Sequence, residues 1–171
     1  MKKLKEYFKH NWVFYVIFAG FLLFDQITKI IFEGKTIPLI QGVFSLTSSH
    51  NDGAGFGILS GKTWLLIIIT IVFMIFIAYF AYKQKRKNAL FRWSIALIFA
   101  GAFGNLIDRL IFGYVRDFLF FELINFPIFN VADSCLTIGI ILLVVFLLFV
   151  EPKLARKEQE QAKEKPEEKS K

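Results

Sequence analysis

The sequence predicts an all-α membrane protein with four transmembrane helices and a small β-containing loop subdomain outside the cytoplasm. Apolar residues make up 56% of its 171 residues, more than a soluble domain of this size can readily bury. They are concentrated in four blocks, at residues 12–32, 63–82, 90–112 and 130–150. Each block has about the 20 residues that a helix needs to cross a bilayer core. Because backbone groups in lipid must bond within their own segment, all four blocks are predicted to be helices.

The basic residues predict the orientation of these helices. They cluster before the first block, between the second and third, and after the fourth. Four spans place the three clusters on one side of the membrane, which the positive-inside rule makes the cytoplasm. Both termini are therefore expected there, and the net charge of +7 indicates contact with membrane lipids rather than with nucleic acid.

Two boundaries complete the predicted domain organisation. The first block follows a basic segment but precedes no small-residue cleavage site, so we interpret it as a retained span and not as a cleaved signal peptide. Residues 1–157 are expected to form a single membrane domain. Residues 158–171 are almost free of apolar side chains, which predicts a disordered cytoplasmic tail.

The two remaining connections, residues 33–62 and 113–129, then face outward. Apolar residues interspersed with Pro38, Gln41, Gly42 and Ser45 favour short strands within residues 37–46. The following run, NDGAGFG at residues 51–57, is typical of tight turns. The second connection is rich in phenylalanine and carries Asp117 just before the fourth block.

Charged and amide side chains gather at the predicted outer ends of the helices. A charge at membrane depth costs roughly 2.5 kcal/mol or more, so such residues are rarely incidental. They are Asp25 and Lys29, which share one face of the first helix; Asn105, Asp108 and Arg109, which share one face of the third; and Asn130 and Asp133, at the start of the fourth. These side chains can converge on one polar cavity that opens outward.

These residues do not all favour the same role. We interpret Asp25 and Lys29 first as a structural ion pair, with substrate contact as the alternative. Asp108 and Arg109 form either an interfacial ion pair or part of a site. Asp133 has no basic residue within one helical turn, which favours a catalytic or proton-handling role.

The chemistry expected of this cavity needs neither a metal nor another cofactor. His10 and His50 are predicted on opposite sides of the membrane, and HExxH and paired cysteines are both missing from the sequence. Nothing in the sequence resembles a serine nucleophile elbow. Two carboxylates without a metal favour an aspartic mechanism, in which one proton is shared between like charges.

Five stretches form an ordered set: FDQITK at residues 24–29, NDGAGFG at 51–57, GAFGNLIDR at 101–109, GYVRDF at 113–118 and FNVADS at 129–134. They resemble the motifs of lipoprotein signal peptidase, also called signal peptidase II, a family of bacterial membrane aspartic proteases. The resemblance covers residues 24–138. In the second motif Gly55 stands where the family usually has alanine.

The resemblance implies a function and roles for individual residues. Asp117 and Asp133 would be the catalytic dyad. Substrate binding or support of the site would fall to Asp25, Lys29, Asn51, Gly53, Asn105, Asp108, Arg109, Asn130 and Ala132. The substrate would be a prolipoprotein whose cysteine carries diacylglycerol, cut on the amino side of that cysteine by an enzyme that we expect to be monomeric.

Two other classes of protein compete with this interpretation. A small transporter or proton-coupled membrane subunit also uses intramembrane carboxylates, but no inverted repeat of helices is visible. Intramembrane proteases of the prepilin peptidase or presenilin type carry Gly-x-Gly-Asp, which this sequence lacks.

Overall fold

The computed structural model describes residues 2–54 and 58–168 as five α-helices and three β-strands. In chain order these are α1 (Lys2–Phe32), β1 (Thr36–Ile40), β2 (Phe44–Asn51), α2 (Thr63–Lys83), α3 (Ala89–Phe112), β3 (Val115–Phe121), α4 (Val131–Val145) and α5 (Glu151–Glu168). A short 3₁₀ helix follows β3, and a π-helical turn at Phe146–Val150 joins α4 to α5.

Four helical segments are long and apolar enough to cross a membrane: Trp12–Phe32, Thr63–Lys83, Ala89–Phe112 and Val131–Ala162. The predicted spans therefore agree with the structure to within one residue, except at the end of the fourth. The fold class predicted from the sequence is confirmed.

Helix α3 is the centre of the bundle. Inside the protein, 61% of its span is buried, against 11% to 22% for the other three spans, and α1, α2 and α4 all pack on it.

Glycines allow α3 and α4 to approach closely. A Cβ at Gly101 would collide with the Ala132 carbonyl oxygen, and one at Gly139 would lie 2.8 Å from the Ile98 backbone nitrogen. Such small-residue contacts are a common way for membrane helices to pack.

The outer connections form one antiparallel sheet in the order β1-β2-β3. Strands β1 and β2 confirm the predicted β-containing subdomain, whereas β3 was not predicted. Four consecutive residues from Val115 to Phe118 are buried, so the strand lacks the alternation of apolar and polar residues that identifies a half-buried strand. Ser49 of β2 lies opposite Asp117 of β3.

The sequence predicts a disordered tail from residue 158, whereas α5 continues as a helix to Glu168 in the structure. Its Glu, Lys, Gln and Ala residues favour helix, and the segment extends an existing helix without a new nucleation step. Arg86 in the α2–α3 connection also bonds to Glu151 and Glu158 of α5. Residues 169–171 lie outside the described part of the chain.

Candidate active site

The position of Asp117 in the sequence suggested an exposed loop, but the residue lies on β3. Its residue surface is only 2% exposed. Its Oδ1 accepts a hydrogen bond from Asn130 Nδ2 at 2.6 Å, and its Oδ2 accepts one from Asn51 Nδ2 at 2.9 Å. The strand therefore delivers a buried carboxylate with an amide donor on each oxygen.

Asp133 is fixed at the start of α4 by a capping box with Asn130. Asn130 Oδ1 accepts from the Asp133 backbone N–H at 2.9 Å, and Asp133 Oδ2 accepts from the Asn130 backbone N–H at 3.1 Å. This reciprocal pairing satisfies amides that the first turn of a helix leaves free. Asp133 Oδ1 accepts a further bond from Asn105 Nδ2 at 2.7 Å.

The two asparagines connect the carboxylates in a defined orientation. Because Asn130 Oδ1 accepts the capping bond, its Nδ2 must face Asp117 and also reaches Asn105 Oδ1 at 3.1 Å. Asn105 Oδ1 additionally accepts from Lys29 Nζ at 3.0 Å. An ammonium group can only donate, so Lys29 turns the Asn105 Nδ2 toward Asp133.

Burial and the neighbouring charge of Asp133 raise the pKa of Asp117 to about 7. The hydrogen bonds from Asn51 and Asn130 oppose this rise because they stabilise the ionised form. A carboxyl group with this pKa carries a proton for a large part of the time near neutral pH. The site therefore offers an acid beside a second carboxylate.

A buried cluster of charges supports the site from behind. Lys29 Nζ pairs with Asp25 Oδ2 at 2.9 Å and with Asp108 Oδ2 at 3.4 Å, which confirms the predicted Asp25–Lys29 pair. Asp25 Oδ1 also accepts from the Ala132 backbone N–H at 2.8 Å. This contact depends on Gly104, where a Cβ would lie 2.6 Å from Asp25 Oδ2. The cluster thus joins α1, α3 and the start of α4.

The alternative of an Asp108–Arg109 ion pair was wrong. Asp108 pairs with Arg116 of β3 at 2.7 Å, while Arg109 Nη2 donates to the Gly53 carbonyl oxygen at 3.0 Å. Sequence reasoning gave Arg116 no role. Its pairing depends on the turn after α3, where Gly113 has φ of 81°, and no residue spacing indicates that return of the chain.

The two carboxylates line one open cavity of about 810 Å³. Its polar wall includes Asn51, Asn105 and Arg109, as predicted, together with Asp117 and Asp133. The apolar part of the lining was missed because it is assembled from the segment before α4 and from α4 itself; it includes Phe126, Pro127, Ile128, Phe129 and Ile138. Residues 55–57 of the second motif lie outside the described part of the chain.

The remaining predicted site residues surround this cavity without lining it. Asp25, Lys29, Asp108, Asn130 and Ala132 lie behind the polar wall, and Gly53 contributes its carbonyl group to Arg109. His50 lines the cavity on β2, where its Nε2 lies 2.6 Å from Glu33 Oε1. Within the described residues, no group of three His, Cys, Asp or Glu side chains could hold a metal ion.

The sequence that carries this site matches a known protein family over most of the chain. A family model described as signal peptidase (SPase) II matches residues 17–149. The chain belongs to the signal peptidase II family. This signal peptidase II is accordingly an aspartic endopeptidase of the membrane that removes signal peptides from prolipoproteins, and the transporter alternative is not favoured.

Individual relatives support the assignment along most of the chain. A lipoprotein signal peptidase of Staphylococcus aureus is 42% identical over 151 residues, which cover 84% of this chain and 91% of that protein. A lipoprotein signal peptidase of Lactiplantibacillus plantarum is 38% identical over 142 residues, which cover 80% of this chain and 95% of that protein.

Two solved structures described as a bacterial membrane enzyme are each 42% identical to this signal peptidase II. Their TM-scores are 0.73 and 0.71. The matches cover 79% and 80% of this chain and 87% and 93% of the solved chains.

Proposed function

We propose that Asp117 and Asp133 form the catalytic dyad of this signal peptidase II. The observation that carries the proposal is that one residue, Asn130, bonds to both carboxylates, which line the same cavity. Like charges held this close favour a state in which the pair holds one proton. That state is the one an aspartic protease needs.

The proposed reaction uses Asp117 as the acid and Asp133 as the base. Asp133 takes a proton from a water molecule as its oxygen attacks the scissile carbonyl carbon, while Asp117 gives its proton to the carbonyl oxygen. A tetrahedral intermediate results. When the C–N bond breaks, Asp133 passes the proton to the leaving amine, and Asp117 recovers its proton as the carboxyl group of the released signal peptide forms.

The proposed substrate is a diacylglyceryl-modified prolipoprotein, cut on the amino side of the modified cysteine. The mixed lining of the cavity supports this proposal. Its polar part offers amides and Arg109 to a peptide backbone, whereas Phe126, Phe129 and Ile138 offer apolar surface to acyl chains. A substrate anchored in the bilayer can present its bond only to groups near the membrane edge.

We further propose a monomer in the bacterial cytoplasmic membrane, with both termini in the cytoplasm and the cavity near the extracytoplasmic face. The three basic clusters support this orientation. The cavity lies at the other ends of the same helices, because it receives Asp117 after α3 and Asp133 at the start of α4.

The test is cleavage of a diacylglyceryl-modified prolipoprotein by purified protein, followed as a size shift on a gel. Asp117→Asn and Asp133→Asn are each expected to lower kcat by about 10²–10⁴-fold, the usual contribution of a positioned acid or base, while the protein stays folded. The matched control is Glu122→Gln, which changes a carboxylate outside the cavity in the same connection. A dyad variant with more than a few per cent of the original turnover would refute the proposal.

A further inference from the structure

The side chain of Asp52 closes the loop between β2 and α2, residues 52–61. Its Oδ1 accepts a hydrogen bond from Ser60 Oγ at 2.6 Å, and its Oδ2 accepts one from the Gly61 backbone N–H at 3.1 Å. Between these ends, the Ala54 backbone N–H donates to the Ile58 carbonyl oxygen at 2.7 Å. Asp52 is exposed, and carboxylates at such positions are ordinarily hydrated. Here both carboxylate oxygens are bonded to the far end of the loop instead.

The far end of this loop is fixed to the helix bundle. Thr63, the first residue of α2, donates through Oγ1 to the carbonyl oxygen of Gly113 at 2.8 Å, just after the end of α3. The same Oγ1 lies 3.4 Å from the Asp52 carbonyl oxygen. Asp52 therefore ties the near end of the loop to a part of the chain that two helices hold in place.

The near end of the loop bonds to groups that line the catalytic cavity. The Gly53 backbone N–H donates to Asn51 Oδ1 at 3.0 Å, and Asn51 Nδ2 donates to Asp117 Oδ2 at 2.9 Å. Because an N–H holds the oxygen of the Asn51 amide, the nitrogen of that amide must face Asp117. The Gly53 carbonyl oxygen also accepts from Arg109 Nη2 at 3.0 Å. The backbone next to Asp52 thus positions two side chains of the polar wall.

We propose that Asp52 is a positioning residue for the proteolytic reaction: it holds the loop closed and so keeps the Gly53 N–H on Asn51 and the Asn51 amide on Asp117. This inference rests on the proposed function, in which Asp117 is the acid. Asp52 acts through its hydrogen bonds and not through its charge, and these two modes of action have opposite signs. Loss of the Asn51 bond raises the pKa of Asp117, because that bond stabilises the ionised form. Removal of a nearby negative charge lowers the pKa of a carboxyl group.

The pH dependence of kcat tests the proposal, measured on the purified full chain with a diacylglyceryl-modified prolipoprotein. In Asp52→Ala, the fall in kcat at high pH should move up by about 0.5–1 pH unit, the effect of losing one hydrogen bond to the ionised form. Ser60→Ala removes only one of the two donors to Asp52 and should cause a smaller shift in the same direction, which keeps the test valid if Asp52→Ala folds poorly. Lys62→Ala, which changes an exposed side chain at the end of the loop outside the cavity lining, should cause none.

The conservative variant Asp52→Asn separates the hydrogen bonds from the charge. An asparagine can accept from the Gly61 N–H with its oxygen and donate to Ser60 Oγ with its nitrogen, so the loop stays closed while the charge is lost. Asp52→Asn should therefore keep the original pH dependence. A shift to lower pH in both variants of Asp52 would reveal a charge effect and overturn the proposal. A lower Tm or a raised KM in Asp52→Ala with an unchanged pH dependence would overturn it too.

Asn51→Leu, measured beside these variants, distinguishes this inference from the proposed function. Asp52→Ala added to Asn51→Leu should cause no further shift, because Asn51 transmits the effect of Asp52. If Asn51→Leu itself causes no shift, the assignment of Asp117 as the acid fails, and this inference fails with it. If Asn51→Leu moves the fall in kcat and Asp52→Ala does not, the role of Asp52 alone is refuted.

Discussion

The amide groups of Asn105 and Asn130 determine which atoms face the two carboxylates of the proposed dyad. Each amide has its oxygen bonded to a fixed donor and its nitrogen directed at a carboxylate: Lys29 Nζ and the Asp133 N–H are the fixed donors. An asparagine with one end fixed in this way cannot exchange its oxygen and nitrogen without losing two hydrogen bonds. Lys29 and Asn130, which do not line the cavity, therefore help to set the chemistry inside it.

The raised pKa of Asp117 predicts the pH dependence of cleavage. If Asp117 acts as the acid, kcat should fall about tenfold for each pH unit above about 7, because the protonated form is lost there. Asn51 lowers this pKa by stabilising the ionised form. Asn51→Leu should therefore raise the pKa and move the fall in kcat to higher pH.

Measuring kcat against pH for the two proteins checks this prediction. Ser49→Ala is a suitable control, since Ser49 lines the cavity and lies opposite Asp117 in the sheet, whereas both carboxylates accept their hydrogen bonds from asparagine residues. A shift of the fall in kcat to lower pH in Asn51→Leu would contradict the assignment of Asp117 as the acid.

The buried position of Lys29 predicts a large loss of stability when it is removed. Lys29→Ala leaves Asp25 without its cation, and breaking a buried ion pair in this way costs about 3–5 kcal/mol. We expect a lower Tm, a lower yield and reduced activity, mainly through loss of folded protein. The double variant Asp25→Asn, Lys29→Met should recover part of the stability, since neither member of the pair then remains as a lone charge.

Thermal melting and kinetics on the same purified proteins separate structural from substrate-binding roles. Lys35→Ala, an exposed lysine in the outer connection, is the control and should melt like the original protein. A Lys29→Ala protein that melts normally but has a raised KM would show that Lys29 contacts substrate instead.

At the scale of elements, the contact between α3 and α4 sets the distance from Asn105 to Asp133. Gly101 and Gly139 allow this contact because neither position has room for a side chain. Asn105 lies one helical turn after Gly101, and Asp133 lies in the first turn of α4. A change in the packing of α3 against α4 therefore also changes the distance between Asn105 and Asp133 in the cavity.

Gly101→Leu should therefore damage both stability and catalysis. Forcing side-chain atoms between the helices costs about 1–3 kcal/mol and separates Asn105 from Asp133, so we expect a lower Tm and a lower kcat in the protein that remains folded. Gly20→Leu is the matched control, because nothing lies within 4 Å of a Cβ at Gly20. Normal kcat in folded Gly101→Leu would show that the Asn105–Asp133 bond is not needed for turnover.

The elements show where sequence reasoning succeeds and where it fails. The spans were predicted because a bilayer imposes one length and one polarity on every helix that crosses it. Strand β3 was missed because Arg116 and Asp117 occupy buried positions, and the partners that make these acceptable, Asp108 and Asn51, lie on other elements. Helix α5 was missed because low hydropathy argues against a core, and a helix that extends from another helix needs none.

The site residues show the same division. Asp25 and Asp133 were singled out because charges are rare at membrane depth, and Asp117 because its position matches an ordered set of motifs. Their hydrogen-bond partners were not assigned, since those contacts join residues as far apart as Asp25 and Ala132. Motif spacing identifies which residues matter, but the atoms that face each other follow only from the fold.

For the whole molecule, the orientation in the membrane is the prediction with the widest consequences. Alkaline phosphatase, which is active only outside the cytoplasm, should be inactive when fused after Lys85 or Lys171 and active when fused after Ile124. The basic clusters give the physical reason. Colony colour and enzyme activity at equal expression measure the outcome, and an active fusion at Lys171 would reverse the topology and place the cavity in the cytoplasm.

The sheet and the bundle each contribute one member of the proposed dyad: Asp117 comes from β3, and Asp133 from α4. The proposed reactive centre therefore lies at the interface between the sheet and the helix bundle. The ion pair of Asp108 with Arg116 and the stacked rings of Phe32 and Phe118, 5.0 Å apart, hold this interface together. Such an interface can separate while the sheet and the bundle each keep their own structure. On warming, turnover should thus disappear below the temperature at which the helices melt, and a molecule bound between the sheet and the bundle would inhibit the enzyme without touching either carboxylate.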